Sequence, residues 1–286
     1  MDYVLLIVIG FCISMLSGFF GIGGGFVLTP LLLLLGFSPI EAITTSLFYT
    51  IGSSIAGMYA HYKLKNILWK EAIIVGISGA IATQVAYPFV RWLESNNLDT
   101  TVIPTFYLIL LTYFSYSMLK KQKNVTSKTS VGASKWKLII LGIGAGFLST
   151  TLGVGGGFFL VPLLITFFGL PSKKAVATSL VAVFFIVSTG FVTYVVNTPI
   201  QWEVAFFLVT GALLGSPLGA KATSFFQQKR IQHLLGFLYI TTFISLALKL
   251  IQLNTVGFWI LSIYTLFVNV LLLVRLFKQK RLAAIT

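Results

Sequence analysis

Charge is what this sequence lacks most: Asp, Glu, Lys and Arg make up 9% of its 286 residues, and only six of those residues are acids. A soluble domain carries about a quarter charged residues. Hydrophobic residues reach 57% and the mean hydropathy is +0.97, so too little polar side chain exists to cover a water-facing surface. Lipid must be the outer solvent, and a soluble globular fold is excluded. Cysteine is nearly absent. Cys12 stands alone within an apolar run, which rules out an internal disulfide. With only His61 and His233 beside it, no cluster has metal-ligand spacing, so neither metal nor cofactor is expected. The two histidines are far apart in sequence and read as loop or interface residues. No carboxylate pair or nucleophile–base pair falls at membrane depth, so the chain does not read as an enzyme.

The charge that is present is one-sided, with 20 Lys and Arg against 6 acids and a net charge of +14. In a soluble protein that excess would suggest nucleic acid. Here the basic residues sit in short loops between apolar runs and at the C-terminus, as they do in the cytoplasmic loops of membrane proteins. The expected partners are the lipid bilayer and a small anionic substrate rather than nucleic acid; the oligomeric state is left open. Met1-Asp2-Tyr3 leads directly into an apolar stretch, with no basic n-region or small-residue cleavage site. The first apolar run is therefore expected to be retained rather than removed as a signal peptide.

Apolar segments fall near 3–19, 24–36, 42–62, 69–90 and 102–119, and again near 138–152, 155–169, 175–196, 202–220, 231–249 and 257–275. Most approach the roughly 20 residues that a helix needs to cross a bilayer. The segments at 24–36, 138–152 and 155–169 are shorter, and each abuts a glycine cluster. Between the two sets lies a polar stretch with lysines at 120, 121, 123, 128, 135 and 137. The pattern predicts an all-α polytopic membrane protein with a first repeat over 1–119, a basic cytoplasmic linker over 120–137 and a second repeat over 138–286.

The repeat is explicit. Gly21-Ile22-Gly23-Gly24-Gly25-Phe26-Val27-Leu28-Thr29-Pro30 recurs as Gly153-Val154-Gly155-Gly156-Gly157-Phe158-Phe159-Leu160-Val161-Pro162. Each copy is followed by a glycine (Gly36, Gly169), then by Ala-x-x-Thr-Ser-Leu at 42–47 and 175–180, then by Trp69 or Trp202. Counting outward from the basic linker, 63–70 lies inside and 37–41 outside in the first half. In the second half 170–174 lies inside and 197–201 outside. Equivalent loops thus face opposite sides, which predicts inverted repeats about an axis in the membrane plane.

Within an apolar stretch, Gly-x-Gly-Gly-Gly is costly as ordinary helix, at about 1 kcal/mol per interior glycine against alanine. Pro30 and Pro162 remove further backbone donors. Broken backbone at membrane depth is tolerated only against protein or a watery cavity, and paired breaks in two halves point to a transport site. A helix starting at the glycines offers free N–H groups and the positive end of its dipole to an oxyanion, with no Cβ in the way. The candidate substrate-binding residues are Gly21, Gly23, Gly24, Gly25, Thr45 and Ser46, with Gly153, Gly155, Gly156, Gly157, Thr178 and Ser179; Pro30 and Pro162 are helix-break prolines. Close packing is the competing role for the glycines, and helix capping for the Thr-Ser pairs. Packing is the expected role of Gly142-x-x-x-Gly146 and of Gly211-x-x-x-Gly215-x-x-x-Gly219. Neither copy completes G-x-G-x-x-G or a P-loop, so nucleotide binding is not supported. Glu41, Glu71, Glu94, Glu203, Arg91, Lys221 and Lys249 all fall at span ends, and no proton carrier stands out.

The duplicated GxGGGF-x-L-x-P block, each copy followed by Ala-x-x-Thr-Ser-Leu, resembles the TauE/SafE sulfite-exporter family. The resemblance covers nearly the whole chain, including the Gly211–Ala220 stretch, from which the first half departs with Gly79-Ala-Ile-Ala-Thr-Gln-Val-Ala. It implies a multi-pass transporter of the cytoplasmic membrane that exports sulfite or an organosulfonate. Two alternatives stay open: a passive anion channel, and a non-transporting membrane scaffold. It is also open whether 3–36 and 138–169 each cross twice or are re-entrant.

Overall fold

The computed structural model describes residues 3–120, 135–196, 198 and 200–283. Among them are eleven α-helices and no strand: α1 (Tyr3–Phe20), α2 (Gly25–Leu34), α3 (Pro39–Lys63), α4 (Trp69–Ser95), α5 (Asp99–Leu119), α6 (Lys135–Leu152), α7 (Gly157–Thr166), α8 (Ser172–Val195), α9 (Trp202–Ala222), α10 (Gln228–Leu250) and α11 (Asn254–Ala283). A 3-10 turn at Thr223–Phe225 extends α9. Residues 121–134, most of the expected linker, lie outside the described set.

Seven helices (α1, α4, α5, α8, α9, α10 and α11) are long and apolar enough to cross a membrane. The two helices that follow the glycine clusters, α2 and α7, have 10 residues each. At 1.5 Å per residue that is about 15 Å, half of a hydrocarbon core of about 30 Å. α3 has 25 residues but its apolar face is interrupted by Thr44, Thr45, Ser46, Thr50, Ser53 and Ser54, all buried. Its start precedes the apolar run because Ser38, Pro39 and Glu41 form a capping box: Ser38 Oγ accepts from the Glu41 amide, and Glu41 Oε2 accepts from the Ser38 amide.

Two helix pairs hold the bundle together, and each joins one half of the chain to the other. α9 lies along α1, where side chains at Gly211, Gly215 and Gly219 would collide with the carbonyls of Ile7, Phe11 and Met15. α6 lies along α4, where Gly142 and Gly146 face the carbonyls of Val75 and Gly79. Small residues let these backbones touch, which is the packing that lipid, with no hydrophobic drive of its own between helices, requires. α4 uses Gly79 where α9 uses a triple glycine run, so the departure of the first half still gives a backbone-to-backbone contact. The centre is aromatic. Phe26 stacks on Phe158 with ring centroids 5.6 Å apart. Tyr107 donates to the Phe26 carbonyl, and Tyr239 donates to the Phe158 carbonyl at 2.8 Å. α11 follows the second set and is tied to α1 by Asn269, whose Nδ2 donates to Cys12 O at 3.0 Å.

One end of the molecule gathers the ends of α1 and α3 and the starts of α4 and α8. There His61 meets Gly18 O, Leu68 N meets Thr178, and Lys173 Nζ donates to Ser224 O at 3.0 Å. The opposite end gathers the starts of α1 and α9, joined by Tyr3 to Glu203, and the tip of α2, where Leu34 comes close to Gly257 at the start of α11. Leu5 and Leu31 line one groove with Phe258, so α2 runs back beside the first turns of α1.

Replacing Gly219 or Gly146 with Leu forces two helix backbones apart. The expected result is destabilisation by more than the roughly 1–3 kcal/mol of ordinary overpacking. Leu213→Ala, at an exposed position on the same α9, should be near neutral. Thermal unfolding of the purified protein in detergent, with size-exclusion profiles, measures both.

Candidate functional site: the paired glycine breaks

Each break is a four-residue interruption, Gly21–Gly24 between α1 and α2 and Gly153–Gly156 between α6 and α7. Positive φ angles explain part of the glycine run. Gly23 and Gly155 stand at +77° and +79°, where a side chain is strained. The third glycines differ: Gly156 is left-handed at +74° while Gly24 is helical at −64°. At Gly24 it is space rather than φ that demands glycine, because a Cβ would run into the Tyr49 ring.

The breaks lie against one another. A Cβ on Gly25 would strike the carbonyl of Gly153, and one on Gly157 would strike that of Gly21. Gly23 and Gly155 both face Thr50 of α3 and Val183 of α8. Every residue from Gly21 to Leu28 and from Gly153 to Phe158 is buried. The two helix N-termini therefore meet in one enclosed place, where desolvation makes an unpaired N–H expensive.

Hydroxyls meet part of that demand. Thr50 Oγ1 accepts from Gly25 N at 2.7 Å, Thr29 Oγ1 donates to Gly153 O at 2.9 Å, and Ser179 Oγ donates to Gly21 O at 2.7 Å. The amides of Gly23, Gly24, Gly155 and Gly156 find no acceptor among the described residues. Ser17, Ser46 and Ser149 are fully buried, with hydroxyls that also lack a partner. Ser149 belongs to the second break, its Cβ lying 3.3 Å from where a Gly156 side chain would begin. Ser17 holds the matching place in the first copy. Unpaired amides and hydroxyls at the positive ends of two helices, with no carboxylate among them, form a donor set suited to an oxyanion.

The expected residues divide accordingly. The eight glycines and Ser179 come together. Thr178, one residue away and within α8 rather than at its cap, turns towards α4 and accepts from Leu68 N at 3.1 Å. Thr45 and Ser46 are buried on α3, but the carbonyl contact that Ser179 makes in one half is made by Thr29 in the other. Pro30 and Pro162 sit inside α2 and α7, one turn beyond their first residues. Thr50, Thr29, Ser17 and Ser149 were missed. The matched spacing of Ser17 and Ser149 before each glycine run was a readable signal; Thr50 has Val183 in its place in the other copy and gave none. His61 is no loop residue: it is wholly buried in the last turn of α3.

A polytopic helical bundle in which two broken helices meet is an architecture that many membrane transporters use. The chain belongs to the sulfite exporter TauE/SafE family, whose profile matches residues 6–246. It is similar to a protein of Methanocaldococcus jannaschii named a probable membrane transporter protein, 31% identical over 81% of this chain and 90% of that one. YunE of Bacillus subtilis, named likewise, is 27% identical over 81% of this chain and 92% of its own. A Haemophilus influenzae protein of the same name is 30% identical over 79% and 86%. No solved structure matches the chain at a significant level.

Thr50→Val strips the Gly25 amide of its acceptor inside the bundle, which should cost about 1–3 kcal/mol. Thr50→Ser should recover most of it. The thermal midpoints of the two variants in the same detergent make the comparison.

Proposed function

We propose that the chain is a secondary carrier that moves sulfite or a small sulfonate out across the cytoplasmic membrane, alternating access around the two glycine breaks. The observation that carries this reading is the meeting of two helix N-termini with unpaired, buried amides and hydroxyls. A small oxyanion satisfies such donors without a formal counter-charge, and glycine lets the backbone reach it. Enclosure of the breaks on all sides supports a carrier over an open channel. In a carrier each conformation exposes the site to one side only.

Inverted repeats are the arrangement that suits alternating access. Two features support them here. The end with the α3–α4 connection and the starts of α6, α8 and α10 holds Lys63, Lys65, Lys70, Lys135, Lys137, Lys173, Lys174, Lys229 and Arg230, which suits the cytoplasmic face. The α1–α2 segment begins and returns at the opposite end, whereas α6 begins and α7 returns at the basic one. An inside-negative potential then drives export of any species that leaves with net negative charge, as the sulfite dianion does even when one proton accompanies it, at about 2.3 kcal/mol per charge per 100 mV.

Counterflow of labelled sulfite in proteoliposomes tests the reading. Wild type should show saturable counterflow. The Ser17→Ala and Ser149→Ala variants should keep the fold and raise KM about tenfold or more each, since hydrogen bonds to a charged group are worth about 1.5–3 kcal/mol. Flux that rises linearly with sulfite and shows no counterflow would indicate a channel. Lack of flux for sulfite and small sulfonates alike would remove the anion reading.

A further inference from the structure

The two halves make the same hydrogen bond with different chemistry. In the second half Tyr194 of α8 donates to Thr150 O at 3.0 Å. In the first half the matching position on α3 is His61, whose Nε2 lies 3.1 Å from Gly18 O. A carbonyl only accepts, so Nε2 carries the hydrogen and Nδ1 is left a bare acceptor. Nδ1 is buried with no partner, in a side chain at 0% exposure. A tyrosine does the structural work with one polar atom; the histidine adds a second that the fold does not use.

The difference extends along the helix. Ser46, Thr50 and Ser54 recur every fourth residue on α3, and His61 continues the same face two turns on. The corresponding residues of α8 are Ser179, Val183, Val187 and Tyr194. Thr50 touches the first break through Gly25 N, while Ser46 and Ser54 are buried without partners. Between Ser54 and His61 the face is bare at Gly57, and the Ser216 hydroxyl of α9 fills the space, donating to Ser53 O at 2.6 Å. A row of hydroxyls thus runs about 16 Å from the break to a free imidazole nitrogen near the basic end. Only one half of the molecule has it.

We propose that this face of α3 is the proton-coupling element of the carrier, with His61 Nδ1 taking the proton and each anion crossing together with one proton. The proposal rests on the anion reading above. Neutral His61 gains a proton at Nδ1 to become imidazolium and returns it after the anion has moved, so charge and protons balance. The coupling is reciprocal: an anion at the breaks favours the protonated ring, and the protonated ring favours the anion. The charged groups on the surrounding elements at this end are Lys63 on α3, held over the Tyr59 ring, Lys173 and Lys174 on α8, and Lys221 on α9. Lys65 follows on the connection to α4, and Lys70 and Glu71 in the first turn of α4. α1 adds only Tyr3 and Cys12, nearer its other end. No carboxylate on α1, on α8 or on the adjoining turn of α9 competes for the proton.

His61 and His233 are the only histidines, so His233→Gln leaves one ring to observe. In nanodiscs of that variant carrying labelled histidine, the ring signals should titrate between about pH 4 and 8. Added methanesulfonate, which stays ionised throughout, should raise the midpoint. In proteoliposomes clamped at zero potential, a pH gradient should drive methanesulfonate into the alkaline compartment. His61→Tyr, which copies the other half, should fold and keep counterflow while losing that accumulation by about tenfold or more. A His61 ring that does not titrate, accumulation in His61→Tyr equal to wild type, accumulation in the acidic compartment, or a requirement for sodium would each overturn the proposal. Should wild type move neither sulfite nor methanesulfonate, the anion reading fails on its own, and the ring titration still decides whether His61 takes up a proton.

Discussion

In hydrocarbon a backbone N–H without an acceptor costs several kcal/mol, and this molecule gathers such groups at its centre. Everything around the two glycine breaks bears on that cost. Thr50, Thr29 and Ser179 reach in from α3, α2 and α8 to pair with buried backbone groups of the breaks. The helices that carry them are held by backbone-to-backbone packing of α1 on α9 and α6 on α4. Aromatic rings at Phe26, Phe158, Tyr107 and Tyr239 close one side. The amides left over have no acceptor among the described residues, and they are the donors that the proposed anion reading assigns to the substrate.

The same constraint explains the short helices. A ten-residue helix cannot cross alone, so α2 and α7 are stable only as inserts packed on full-length neighbours. Their prolines, the sixth residue of each, cannot donate to the carbonyls of Phe26 and Phe158 four residues back, and the hydroxyls of Tyr107 and Tyr239 donate to those carbonyls instead. Pairing across halves follows: each broken helix is seated by elements of the other copy, as Gly25 on Gly153 and Gly157 on Gly21 make plain. Neither half buries its own break alone.

Much of this was legible in the sequence, because membrane segments declare themselves by length and hydropathy. The eleven apolar runs correspond one for one with the eleven helices. Their ends moved where capping or snorkelling chemistry extends a helix past its apolar run, as Ser38 and Glu41 do for α3 and the basic tail does for α11. The glycine breaks were visible because duplication displayed them twice. What duplication could not display were features present once. Thr50 has a valine as counterpart and His61 a tyrosine, so neither stood out, and burial of His61 depends on the close approach of α1, which no spacing on α3 reveals. The split between Thr178 and Ser179 was hidden for another reason: adjacent helical residues point about 100° apart, so one dipeptide serves two different neighbours.

α11 has no counterpart among the described residues, and on the proposed carrier reading this bears on the energetics of the cycle. A carrier built from two interchangeable halves would hold its two facing states at equal free energy. α11 packs on α10, touches α1 through Asn269 and Cys12 and lies beside α2, so it braces the first broken helix directly and meets the second through α10, whose Tyr239 donates to Phe158 O. A fixed brace on one side of an otherwise even balance sets a resting position. The empty protein should wait facing one way, and a substrate arriving from the other side must first supply the free energy to turn it.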